Sequence, residues 1–184
     1  MVVSGPSGVG KSTIVREVVK RTGADFSVSA TTRPPRGGEV DGREYRFVDR
    51  ETFDGMVRRG WLLEWAEVFG HCYGTPARAV QEALKAGRTI ILDIDVQGGR
   101  QVHRKMPDAT FVLIIPPNEQ ALRQRLASRA SENDQETQRR MAQADEELKA
   151  ARESGIYRYT VVNDDLEAAI EAVANIVNEE PAGR

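Results

Sequence analysis

"GPSGVGKST", running from Gly5 to Thr13, decides the fold of this chain. It fits G-x-x-x-x-G-K-[ST] at every fixed position, with the apolar "MVVS" before it and a helical pattern over Ser12 to Arg21 after it. The glycines let backbone N–H groups converge on phosphate oxygens, and the helix N-terminus adds its positive end. Lys11 is placed to neutralise the β and γ phosphates of a nucleoside triphosphate, and the Ser12 hydroxyl to ligate Mg2+. Gly5, Pro6, Ser7, Gly8, Val9, Gly10, Lys11, Ser12 and Thr13 together form the expected triphosphate cradle. The strand before it is short, so either the native chain begins further upstream or neighbouring strands alone hold it.

Working outward, "MVVS", "TIILDIDV" (Thr89 to Val96), "TFVLIIP" (Thr110 to Pro116) and "YTVVND" (Tyr159 to Asp164) are short, apolar and rich in β-branched residues. Runs of that kind suit strands buried on both faces of a parallel sheet. Helical patterns over Ser12 to Arg21, Pro76 to Lys85, Glu119 to Arg129, Gln135 to Glu153 and Leu166 to Val177 alternate with them. The expected fold class is therefore α/β, a P-loop fold with a central parallel sheet between helical layers. Residues 30–75 break the rhythm with Gly, Pro, Arg and aromatics, and read as a small mixed insertion with some antiparallel strand. Residues 128–140 are polar and Arg-bearing, and read as a flap.

The 184 residues suit a single domain, and the net charge of −2 argues against a general binder of nucleic-acid polymers. No apolar window is long enough to span a bilayer, which predicts no membrane partner. One cysteine, Cys72, excludes an internal disulfide framework, fits a cytoplasmic protein and reads as a packed side chain. His71 and His103 lack a paired carboxylate motif and read as surface or loop residues.

Three clusters carry further chemistry. Asp93 and Asp95 in "ILDIDVQG" are two apart, so on a strand both project from one face at the ligand-binding end of the sheet. Asp93 is the candidate partner of Mg2+, unless one of the two caps the following helix. "TTRPPRGGEVDGREYRF" gathers Arg33, Arg36, Arg43 and Arg46 with Tyr45, either a phosphate grip or a solvated basic loop. In "LLEWAEVFGHCYGT", Glu64 stands between Leu63 and Trp65, where a carboxylate must find donors. Guanine offers N1–H and N2–H2 side by side and would supply them.

Taken in order, "SGPSGVGKST", "SVSATTRPPRGGEVDGREYRFV", "LLEWAEVFGHCYGT", "ILDIDVQG" and "VVNDD" resemble guanylate kinase over nearly the whole chain, from Ser4 to about Val177. The resemblance implies a core of residues 1–29, 76–127 and 141–184, a GMP-binding insertion of residues 30–75 and a lid of residues 128–140. It implies that Arg33, Arg36, Tyr45 and Tyr73 hold the GMP phosphate and that Ser29, Glu64, Thr75 and Asp95 surround the guanine. Arg125, Arg129 and Arg140 would reach the ATP phosphates, with Lys11 and Arg33 also catalytic, and Asn163 would lie near the adenine. Thr75, directly before Pro76, also fits a helix N-cap. The sequence departs from the family pattern at Ala130, where glycine is usual, and at Gly99, where alanine is commoner.

The implied reaction is transfer of the γ-phosphate of ATP to GMP or dGMP with Mg2+. Two polyanions must meet, and unit charges 4 Å apart repel by about 4 kcal/mol at an effective dielectric near 20. The acceptor phosphate is itself largely a dianion at neutral pH, so no general base is required. An inactive guanylate-kinase-like binding module and a kinase for another phosphorylated acceptor are the competing readings. The intact Lys11, Ser12, Arg33, Arg36 and Glu64 speak against the first, and Glu64 against the second. Oligomeric state has no signature in the sequence.

Overall fold

The computed structural model describes residues 1–128 and 134–180. In chain order, β1 (Val2–Ser4) leads into α1 (Lys11–Thr22), then β2 (Asp25–Phe26), β3 (Ala30–Thr31), β4 (Arg46–Phe47) and α2 (Arg50–Arg58). Next come β5 (Leu62–Val68), β6 (His71–Pro76), α3 (Ala77–Lys85), β7 (Ile90–Asp93) and α4 (Val96–Lys105). The chain ends with β8 (Phe111–Ile115), α5 (Glu119–Ser128), α6 (Asp134–Ser154), β9 (Tyr159–Val162) and α7 (Leu166–Glu179).

The main sheet has the order β2-β7-β1-β8-β9, and every pairing in it is parallel. The three-residue β1 lies between β7 and β8, with Val2 opposite both Leu92 and Phe111. Its alternating side chains feed both cores. Val3 packs with Ile14, Val18 and Val173 of α1 and α7, whereas Val2 packs with Val80, Ala83 and Val102 of α3 and α4. Each buried valine contributes about 2 kcal/mol, which is how so short a strand stays central. The result is the three-layer α/β architecture expected from the apolar runs.

A second sheet, β4-β3-β6-β5, stands apart from the first. Its β3–β6 and β5–β6 pairings are antiparallel and its β3–β4 pairing is parallel. Phe53 and Met56 of α2 close over Ala30, Leu62 and the buried Cys72 to give this sheet its own core.

Two helices depart from expectation. The sequence shows α2 only as part of a mixed insertion, yet Asp49 caps it, accepting from the Thr52 amide at 2.7 Å. α4 displaces the end of the anticipated Thr89–Val96 strand. The strand stops at Asp93, and Asp95 becomes an N-cap whose Oδ1 accepts from the Gly98 amide at 2.7 Å. Asp93 and Asp95 therefore do not share a strand face. Thr75 is also not an N-cap: Pro76 takes that position in α3, and the Thr75 hydroxyl is engaged elsewhere.

Candidate active site

The carboxyl ends of β1 and β7 open into a cavity of about 660 Å³ that also touches the second sheet and α6. Gly5, Pro6, Ser7, Gly8, Gly10, Lys11, Ser12 and Thr13 line one side of it. Gly10 is the N-cap of α1 with φ of 94°, and a Cβ there would sit 2.6 Å from Asn163 Nδ2. Only glycine meets both demands. No side chain caps α1 among the described residues, so its first amides face the cavity as an anion site.

Asp93 ties the loop together. Lys11 Nζ lies 2.6 Å from Asp93 Oδ1, and the Ser12 hydroxyl donates to Asp93 Oδ2 at 2.7 Å. Burial pulls the Lys11 pKa down, but the adjacent Asp93 charge and hydrogen bond outweigh it and leave the pKa above the ordinary lysine value. Asn163 is buried beneath the loop, where its Nδ2 donates to the Val9 carbonyl at 2.7 Å. Its place against the loop backbone makes it a support of the cradle, and Arg125 reaches the Asn163 carbonyl at 2.9 Å from α5.

Across the cavity lie Glu64 and Tyr73 on the second sheet, with Ser29, Arg36 and Tyr45 on the segments that flank its strands. Tyr45 and Tyr73 meet edge to face at 5.8 Å, and the Arg33 guanidinium lies over the Tyr45 ring at 5.3 Å. Arg33 is only 8 % exposed and grips Glu39 with two hydrogen bonds of 2.8 and 3.0 Å. This paired hydrogen bond holds the Glu39 carboxyl below the ordinary range. Arg36 is exposed at the cavity rim. Arg43 and Arg46 are exposed as well and do not line the cavity.

Glu64 is 4 % exposed, and its Oε1 accepts from both the amide and the hydroxyl of Thr75, at 3.0 and 2.7 Å. Desolvation nonetheless pushes its pKa up to about 7, helped by the negative charge of Asp95. Burial likewise raises Asp95. Oε2 of Glu64 lies close to Gly98, where a Cβ would approach within 2.5 Å. Two carboxylates thus line one end of a cavity whose other end is a phosphate cradle.

Arg140 enters from α6, its guanidinium 5.5 Å from the Phe69 ring. Arg129 and Ala130 lie outside the described residues. The cavity also includes Arg16, Phe69 and Glu147, which were not anticipated. Arg16 follows Ser12 by four positions, and Glu147 follows Arg140 by seven, so helical spacing was the available signal. Glu147 accepts from Gln143 at 2.9 Å, and burial raises its pKa. Gly99 is matched to its surroundings, since a Cβ there would fall 2.7 Å from the Tyr157 hydroxyl. His71 and His103 are half-buried, and His103 packs edge-on against Phe111 at 5.4 Å. A second cavity of about 630 Å³, beside Pro116, Leu122, Leu148 and Arg152, contains none of the anticipated residues.

A phosphate chain suits the loop side, and a base with adjacent N–H donors suits the acidic side; the class so defined is a P-loop nucleotide phosphotransferase. A family model described as guanylate kinase matches residues 1–180. The chain belongs to the guanylate kinase family. It is 48% identical to the guanylate kinase of Symbiobacterium thermophilum over 183 residues, covering 99% of this chain and 85% of that one. It is 48% identical to that of Rubrobacter xylanophilus over 184 residues, covering 100% and 95%. The crystal structure of guanylate kinase from Anaplasma phagocytophilum superposes with a TM-score of 0.81 at 32% identity, covering 98% of this chain and 84% of that one. No helix among the described residues is long and apolar enough to cross a membrane.

Proposed function

We propose that this chain phosphorylates GMP, and dGMP with it, by in-line transfer from ATP, and that the residues around the cavity divide the work as follows. The enzyme class and the substrates ATP and GMP follow from membership of the family. The observation that carries the division of labour is the buried Glu64 carboxylate facing the same cavity as Lys11.

The loop from Gly5 to Thr13 wraps the ATP phosphates with its amides, and Lys11 neutralises their charge. Asn163 holds the loop from below and borders the adenine side. Arg33, Arg36, Tyr45 and Tyr73 take the GMP phosphate; Ser29, Glu64, Thr75 and Asp95 surround the guanine. Thr75 acts through Glu64, since its two hydrogen bonds orient one oxygen and leave Oε2 for the base. Arg129 and Arg140 supply positive charge from the lid, and Arg125 supplies it from α5 just before the lid. Residues 30–75 form the GMP-binding insertion, residues 128–140 the lid, and the remainder the core.

Ser12 and Asp93 place a hydroxyl and a carboxylate oxygen 2.7 Å apart at the mouth of the loop. That oxygen donor set fits Mg2+, which takes few protein ligands and keeps several waters. When bound, the ion supplies charge neutralisation across the donor phosphates. The chain's own contribution is to align donor and acceptor, exclude water and spread charge over fixed cations. No side chain needs to remove a proton, because the GMP phosphate arrives largely as a dianion.

The deciding assay offers ATP-Mg2+ with GMP, dGMP, AMP, CMP or UMP in turn and follows ADP release. GMP and dGMP support turnover and the others do not; equal turnover with AMP would remove Glu64 and Asp95 from base selection.

A further inference from the structure

We infer that Gln101 and Lys105, on the outer side of α4, are positioning residues for guanine selection. The inference rests on the reading of Glu64 as the guanine acceptor.

Among the described residues β5 is the edge strand of the second sheet, and no strand neighbours its outward backbone groups. The ladder to β6 also slips between Leu62 and Glu64, leaving Leu63 at the irregularity. A bulged edge is a poor place from which to aim a carboxylate. α4 supplies what the missing strand does not. The Gln101 amide bonds both ways with one residue: its Nε2 donates to the Trp65 carbonyl at 2.7 Å, and its Oε1 accepts from the Trp65 amide at 3.3 Å. One turn on, Lys105 Nζ donates to the Leu63 carbonyl at 2.5 Å. The residues immediately before and after Glu64 are thus both held by the same helix.

That helix begins at Asp95, the other carboxylate of the base site, and its Gly98 packs against Glu64 Oε2. Lys105 and Gln101 therefore lock the acceptor carboxylate to the body that carries its partner. Neither side chain lines the cavity, and neither would touch substrate. Releasing them leaves the phosphate cradle in place while letting the Glu64 backbone wander relative to Asp95. A loss of one or two hydrogen bonds of this kind amounts to about a tenfold change.

The test uses the full chain with Q101A, K105M and K105R, alongside wild type and E64Q, measuring kcat and KM for GMP, AMP and ATP together with melting temperature. Q101A and K105M each raise KM for GMP about tenfold and lower the preference for GMP over AMP, with KM for ATP and saturating kcat changed less than about twofold. K105R, which keeps a donor to the Leu63 carbonyl, restores the wild-type KM for GMP. A wild-type KM for GMP in folded Q101A and K105M overturns the inference, as does a parallel rise in KM for ATP. If wild type shows no preference for GMP, or E64Q retains it, the underlying reading of Glu64 fails instead.

Discussion

Guanine binding should release a proton from Glu64. Burial raises this carboxyl from its ordinary 4.5 to about 7, a cost of about 3 kcal/mol for the charged form. The Thr75 amide and hydroxyl and the more distant Lys105 favour the charge, but desolvation and Asp95 prevail. A guanine edge brings its N–H donors to Oε2, the oxygen that Thr75 leaves open, and stabilises only the carboxylate. With a pKa near 7, Glu64 is about nine-tenths protonated at pH 6 and about one-tenth at pH 8. The Glu64 contribution to KM for GMP should therefore fall about tenfold between those pH values.

The acceptor phosphate titrates near pH 6 as well, so a wild-type profile alone would mix two groups. Glu64→Gln separates them, because an amide cannot ionise there while the phosphate still does. The ratio of wild-type to variant KM for GMP should drop about tenfold from pH 6 to pH 8. Calorimetry at pH 6 in two buffers of different ionisation enthalpy should show close to one more proton released by wild type than by the variant. The free protein gives an independent check. A raised carboxyl pKa means that the folded state holds more protons between pH 4.5 and 7, so stability falls as pH rises through that window, by up to about 3 kcal/mol. Glu64→Gln should remove that decline. A flat KM ratio with equal proton release would refute the assignment of Glu64 as the group that meets the base.

Three further outcomes follow from the geometry. Lys11→Met should lower kcat at least about a thousandfold while leaving Asp93 without its 2.6 Å partner, and steady-state ADP release with GMP measures it. Gly98→Ala places a Cβ 2.5 Å from Glu64 Oε2 and should raise KM for GMP but not for ATP, which parallel titrations of the two substrates would reveal. Glu39→Gln leaves the 8 % exposed Arg33 without its charged partner; it should destabilise the free protein by about 2 kcal/mol, below the range for a fully enclosed pair because Glu39 is 19% exposed. Because a phosphate then replaces the lost anion, GMP should raise the melting temperature of that variant more than that of wild type.

Much of the core was legible because each apolar run was too short and too β-branched for a helix, and because the phosphate loop fixes what precedes and follows it. α4 was not legible. "VQGGRQVHRK" carries two adjacent glycines and is not among the helical patterns of the sequence, yet those glycines are what let the helix lie against Glu64 and Tyr157. Tertiary approach, rather than propensity, makes it a helix. The strand-face reading of Asp95 fails with it, while the alternative that one of the two aspartates caps the following helix holds for Asp95. Thr75 shows the converse. Its place before Pro76 satisfies every local rule for a cap, but a buried carboxylate eleven residues away is the stronger claimant. Gln101 and Lys105 had no local signal, because the edge they serve belongs to an element distant in sequence.

The ion pairs inside the site bear on how a protein of net charge −2 can bind two polyanions. Its key cations are already paired inside: Lys11 with Asp93, and Arg33 with Glu39. A buried cation without a partner would be costly, so the free protein must supply carboxylates in place of phosphates. On the proposed assignment of Lys11 and Arg33 to the substrate phosphates, binding exchanges one anion for another, and the net gain depends on what the displaced carboxylate does next. Asp93 keeps the Ser12 hydroxyl and retains a role at the loop, whereas Glu39 keeps the Arg36 amide at 2.7 Å. Under that assignment each displaced carboxylate has a second donor waiting, which lowers the cost of letting go.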